Sequence, residues 1–174
     1  AMIVLMTFTP NFGYIQTGIF SITTIHIPVL IGSIALGPLG GLVLGTTWGI
    51  TSYLYALSLG TLEAAIFLNP LVSIAPRILV GLSVSYLSLA TRSIQLKDVY
   101  KYSFLAASGT LINTILVLSA IFTFESAGLI SFNQAVSTIL TIIISSNALL
   151  ELFAAIVLVP TVIVALKKVR PNLF

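Results

Sequence analysis

Six of the seven basic residues of this chain gather at two places, Arg92 with Lys97 and Lys101, and Lys167 with Lys168 and Arg170. Elsewhere the sequence is a series of long apolar runs, at roughly 1–9, 21–36, 40–59, 70–91, 102–123 and 144–166, with Pro, Gly or charge at nearly every junction. A run of about 20 apolar residues matches the hydrocarbon thickness of a bilayer. With 58% of its residues hydrophobic and only 6% charged, the chain lacks the roughly 25% of charged residues typical of soluble domains. The sequence therefore predicts an all-α integral membrane protein, one transmembrane domain over residues 1–174 with six helices.

Three details qualify that count. The opening run is too short to span and has no basic n-region, so it reads as the outer part of a first helix whose beginning precedes Ala1 rather than as a signal peptide. The run at 21–36 is short and contains Pro28, which predicts a kink there. The stretch 128–143 follows Glu125 and carries Asn133 and Gln134, so it is expected to be an outer loop with a short interfacial helix.

The basic clusters set the orientation. Both fall on one side of the predicted bundle, and by the positive-inside rule that side is cytoplasmic. The N- and C-termini are then cytoplasmic, and the loops at 10–20, 60–69 and 124–143 lie outside, in a multi-pass protein of the cell membrane. The pI near 9.4 comes with a net charge of only +3, and clusters at helix ends are not the footprint of a nucleic-acid surface. The exception is Arg77, placed one to two turns inside the outer end of the fourth helix.

An ionisable group at membrane depth demands a partner and marks a candidate site. Asn147 and Glu151 lie four residues apart and share one helix face. By residue counting, Arg77 and Asn113 sit at a similar outer depth, so the four are expected to line a polar pocket open to the outside. A structural Arg77 and Glu151 ion pair, or a protonated Glu151, is the competing reading. Gln16 and His26 flank the outer start of the second helix, in or after a loop that would close over a ligand. Trp48 is a candidate pocket wall, while Tyr53 and Tyr55 are assigned to the interfacial aromatic belt. Gly37, Gly41, Gly45 and Gly49 recur every four residues and predict one smooth ridge for close helix packing, or a face that docks a partner subunit; Gly81 and Ser85 repeat the spacing.

Other chemistry is excluded by what is missing. With no cysteine there are no disulfides, thiolate metal sites or thiol nucleophiles. One histidine without a carboxylate cluster does not make a metal site. No phosphate-binding Gly-rich loop ending in Lys and Ser or Thr is present, so the chain has no visible means of hydrolysing ATP, and no His-Glu-x-x-His or Gly-x-Ser-x-Gly motif appears.

In chain order, Thr24-Ile25-His26-Ile27-Pro28-Val29, then Leu36-Gly37-Pro38 leading to Gly41, Gly45, Gly49 and Thr51-Ser52, then Asn69-Pro70, Pro76-Arg77 with Gly81, and Asn147 with Glu151 and Pro160, resemble the substrate-specific S component of energy-coupling factor (ECF) transporters. The resemblance covers nearly the whole chain and is greatest to the pantothenate carriers of that family. It implies six helices and an outer vitamin pocket capped by the loop after the first helix. Its implied partners are a membrane coupling protein, EcfT, and two ATPase subunits, EcfA. No cofactor would be bound by this chain; ATP and Mg would be held by those partner subunits.

Under that resemblance Arg77 is the candidate partner of the pantothenate carboxylate, with Gln16, His26, Asn113 and Asn147 as hydrogen-bonding candidates. Glu151 fits an anionic ligand only if it is protonated, paired or accepting from hydroxyls. A pyridoxine or hydroxymethylpyrimidine ligand would use it directly. A non-transporting membrane scaffold, a channel and an intramembrane enzyme are the readings from other classes.

Overall fold

The computed structural model describes residues 1–16, 21–58, 67–126, 128 and 134–170, without the side chains of Gln16, Ser21, 134–141 and 143. Its elements are α1 (Met2–Phe8), a two-stranded antiparallel hairpin of β1 (Tyr14–Gln16) and β2 (Ser21–Thr23), α2 (His26–Ser58), α3 (Pro70–Ser73), α4 (Ala75–Ala90), α5 (Asp98–Ser126) and α6 (Gln134–Val169). Large apolar side chains cover its outside, among them Leu39 at 78% and Phe153 at 74% exposure. Only lipid accommodates such a surface, and the molecule is an all-α membrane protein.

The expected six spanning helices are not all present. Four segments among the described residues are long and apolar enough to cross a bilayer: His26–Ser58, Pro70–Ala90, Asp98–Ser126 and Ile144–Val169. Helix α1 rises only about 10 Å. The expected run at 21–36 starts as strand, because Ser21–Thr23 pairs with Tyr14–Gln16, and its helical part from His26 joins the next run within α2.

That join is a reversal at Gly37, with φ 72° and ψ −165°, followed by Pro38. An unbroken helix would separate Gly32 from Leu44 by about 18 Å, yet a Cβ on Gly32 would collide with the Leu44 side chain. The two arms of α2 therefore fold back on each other. Gly37 supplies the left-handed conformation, and Pro38 starts the second arm where its missing N–H costs nothing. Pro28, expected to kink the chain, sits in the first turn of the first arm, where proline is tolerated. Gly37 is thus a turn residue and not the first member of the ridge; a Cβ there would meet nothing within 4 Å.

The other ridge glycines face α4, and α2 with α4 is the most extensive helix pairing. A Cβ on Gly41 would overlap the Gly81 carbonyl, one on Gly45 would meet the Arg77 carbonyl oxygen, and one on Gly49 would lie 2.8 Å from the Ile74 Cα. Gly81 is the reciprocal glycine, since a Cβ there would strike the Gly41 carbonyl. Ser85 Oγ lies 2.7 Å from the Gly81 carbonyl and within 3.2 Å of those of Ser33 and Gly37, so its single proton ties α4 to the end of the first arm. Asn69 caps α3 by accepting from the Leu71 N–H at 3.0 Å, with Pro70 at the first helical position.

Helices α5 and α6 form the second major pairing. Pro160 inside α6 removes the N–H that would serve the Ile156 carbonyl; Ser103 Oγ of α5 donates to that carbonyl at 3.1 Å. Residues 134–143 belong to α6 itself and not to a separate interfacial helix; residues 129–133, including Asn133, lie outside the described chain. The basic clusters meet at one end, where Lys167 Nζ bonds Asp98 at 2.8 Å. The core runs through Val29, Leu30, Val84, Leu105, Ala155 and Val159.

Close backbone approach makes the ridge sensitive to a single methyl. Gly41→Ala is expected to destabilise the folded protein in detergent by about 1–3 kcal/mol, the usual cost of overpacking. Gly32→Ala, which presses only on the flexible end of Leu44, is expected to cost less; thermal unfolding of the two variants checks the order.

Candidate functional site

The close approach of α2 and α4 fixes the polar centre of the bundle. Gly45 and Gly49 bring the second arm of α2 against the start of α4 and thereby set Trp48 beside Arg77. Trp48 is 2% and Arg77 7% exposed. The guanidinium carbon lies 5.4 Å from the Trp48 ring centroid and 4.7 Å from that of Phe67, and one guanidinium nitrogen donates to the Val72 carbonyl at 2.8 Å. A buried cation is held by two aromatic faces and a carbonyl. Its Nε has no hydrogen-bond partner among the described residues, and neither have Trp48 Nε1 and Ser73 Oγ.

A second polar group gathers beneath the hairpin. Glu151 is buried on α6, and its Oε1 accepts from the Thr23 N–H at 2.8 Å, anchoring β2 to the last helix. Asn147, one turn away on the same face, is buried as well. His26 follows β2 directly and is 3% exposed; the Thr23 and Glu151 backbones face its ring, but neither ring nitrogen completes a hydrogen bond among the described residues. Glu151 is near enough to Arg77 to act on it electrostatically, so the two groups belong to one region.

The hairpin is also tied to α2. Tyr14 and Ser52 share a hydrogen bond of 2.9 Å, and the Tyr14 ring stacks on Tyr55 with centroids 4.3 Å apart and planes 5° from parallel. Tyr55 therefore supports the hairpin. Gln16 pairs with Ser21 through its backbone, while its side chain lies outside the described residues. Beside this tie is a groove of about 240 Å³ lined by Thr7, Phe8, Thr9, Pro10, Asn11, Tyr14 and Tyr55. All of these are uncharged, so the groove lacks the fixed countercharge that an anionic or cationic ligand would need.

Of the residues singled out from sequence, Trp48 and Arg77 are in contact, and His26, Asn147 and Glu151 lie under the hairpin. Asn113, on α5, is half-buried and its Oδ1 has no hydrogen-bond partner among the described residues. Phe67, Ser73 and Thr23 are additions. Phe67 precedes the Asn69-Pro70 cap and Ser73 stands one turn before Arg77, which are the signals that place them on the same surface; Thr23 acts through its backbone and left no signal. Among the described residues, Arg77 Nε, Trp48 Nε1 and Ser73 Oγ are buried donors without acceptors, each costly in a medium without water.

A family model for the ECF transporter substrate-specific component matches residues 1–163. The pantothenic acid transporter PanT of Lactococcus lactis subsp. cremoris (strain MG1363) is 32% identical over 159 residues, covering 86% of this chain and 80% of that protein. The pantothenate transporter PanT of Leuconostoc mesenteroides subsp. mesenteroides is 36% identical over 89 residues, 48% of this chain and 44% of that protein. With a match along nearly all of its length, on a membrane bundle with a polar centre under a hairpin, this chain belongs to the family of substrate-specific components of ECF transporters.

Proposed function

We propose that this chain captures pantothenate from outside the cell as the S component of an ECF importer, with Arg77 as the partner of the ligand's carboxylate. The observation that carries this is a buried arginine whose Nε–H is unsatisfied among the described residues, in a family defined by substrate binding and with relatives named for pantothenate. Such an arginine fits an anion, whose oxygen would take the Nε–H that no described residue takes. Asn113, Asn147, His26 and Gln16 would meet its hydroxyls and amide.

In this reading the fold-back of α2 at Gly37 divides it into two antiparallel arms of the bundle. Both termini would then be cytoplasmic, with the hairpin outside as the cap. The family is a substrate-binding component and not an enzyme. A membrane coupling protein, EcfT, and two EcfA ATPases holding ATP and Mg would supply the energy. Glu151 would serve the cap, because its Oε1 accepts from Thr23; a cationic vitamin such as a pyrimidine would need that carboxylate turned to the ligand.

Calorimetric titration of the purified protein is expected to give tight pantothenate binding, weakened at least about 30-fold in Arg77→Ala, because removing one partner of a buried ionic contact costs about 2–5 kcal/mol. Unchanged affinity in that variant would remove Arg77 from the site. Glu151→Gln, which keeps an oxygen for the Thr23 N–H, is expected to bind pantothenate within a few-fold of the parent, whereas Glu151→Ala speeds its dissociation; stopped-flow measurement of release rates separates the two. Because the chain has no cysteine, single cysteines report topology: in intact cells an impermeant maleimide is expected to label Asn11→Cys and to spare Lys97→Cys. The reverse pattern would invert the orientation.

A further inference from the structure

We propose that Arg77 Nε, Trp48 Nε1 and Ser73 Oγ together form a three-donor cradle for the carboxylate, so that the site selects its ligand's anionic end at the contact between α2 and the α3 and α4 segment. This rests on the reading of the chain as a pantothenate carrier, and it adds Ser73 and assigns the indole a donor's role.

The three groups lie on adjoining stretches of α2 and of the α3 and α4 segment. Trp48 and Arg77 are in cation–π contact. Arg77 turns back toward the preceding turn, where its guanidinium donates to Val72, the neighbour of Ser73. Ser73 and Arg77, four residues apart, share a face of the Pro70–Ala90 segment. All three side chains are more than nine-tenths buried, at 2%, 7% and 0% exposure for Trp48, Arg77 and Ser73, and each of the three atoms lacks a partner among the described residues.

Their chemistry is of one kind. The indole N–H and the arginine Nε–H can only donate, and the serine hydroxyl is free to do so. A buried donor without an acceptor is costly, and three of them, one on the guanidinium itself, suit an oxygen-rich anion. A carboxylate offers about four lone-pair sites on two oxygens. Trp48 and Phe67 lie against the guanidinium, Val72 takes one of its five N–H groups, and the Nε–H has no acceptor among the described residues. Asn113 Oδ1 on α5, an acceptor without a partner among the described residues, would suit a ligand hydroxyl or N–H.

The test compares pantothenate with pantothenol, its neutral alcohol analogue, by calorimetry on the purified full chain and on Trp48→Phe and Ser73→Ala. The phenyl ring keeps the aromatic contact with Arg77 while removing the N–H, and Ser73→Ala guards against a packing fault at Trp48. Each variant is expected to weaken pantothenate binding about 10- to 100-fold, the loss of one hydrogen bond to a charged acceptor, and to change pantothenol binding by no more than about twofold, the span of experimental scatter assumed for an unaltered contact. Equal losses for both ligands, or none for either, in protein whose thermal unfolding matches the parent, would overturn the cradle while leaving the carrier reading in place. If the parent binds a different vitamin, the carrier reading for pantothenate fails by itself. The cradle then stands if that vitamin is anionic and loses affinity in both variants, and falls if it is neutral or cationic. A folded parent that binds none of these overturns both.

Discussion

In a bilayer two helices gain nothing by hiding leucines from lipid, so they associate where their backbones can come close and where polar groups find partners. The approach of α2 to α4 through Gly41, Gly45, Gly49 and Gly81 is the contact on which the rest of this molecule depends. It leaves no room for a Cβ between the carbonyls of Gly41 and Gly81, and it holds Trp48 against Arg77. A wider spacing would leave a guanidinium at membrane depth without its aromatic partner. The reversal at Gly37 serves the same contact, because it releases the second arm of α2 to run along α4 while Ser85 ties down the end of the first.

Backbone polarity is handled with the same economy elsewhere. Pro160 frees one carbonyl in α6, and Ser103 of the adjacent helix supplies the missing donor. Asn69 caps the N-terminus of α3. Glu151, a carboxylate that would be difficult to bury alone, accepts from a strand N–H and so couples the hairpin to α6. Against this background, the buried polar atoms without a partner among the described residues are those of Trp48, Ser73, Arg77 Nε and Asn113 Oδ1, with the His26 ring nitrogens and Ser33 Oγ.

Much of this was legible in the sequence, for reasons that lie in the solvent. Scarcity of charge gave the membrane class, and helix length together with periodic Gly placed the ridge at Gly41, Gly45 and Gly49. Arg77, Asn147 and Glu151 stood out because ionisable and amide groups are rare at that depth. Other features left weaker traces. Gly37 has the same four-residue spacing as a ridge glycine and differs only in preceding Pro38, so its role as a turn was hidden by the periodicity. Strands of three residues carry no measurable alternation, which is why Ser21–Thr23 reads as the start of a helix. The partner of Glu151 is a backbone N–H, and the stack of Tyr55 on Tyr14 joins residues 41 positions apart; neither is written in any local pattern. Helix α2 joins two expected runs because local chain geometry at Gly37, and not apolar length alone, decides where a segment turns.

In the proposed reading this chain delivers pantothenate only in company with an energised partner. Its most direct test is uptake of radiolabelled pantothenate into proteoliposomes holding the chain together with the coupling protein and ATPases of its own organism. Accumulation that requires internal ATP and all of the partner subunits, and that stops when this chain alone is omitted, is the predicted result. Accumulation by this chain without the ATPases, or none with the complete complex while another vitamin is taken up, would contradict it.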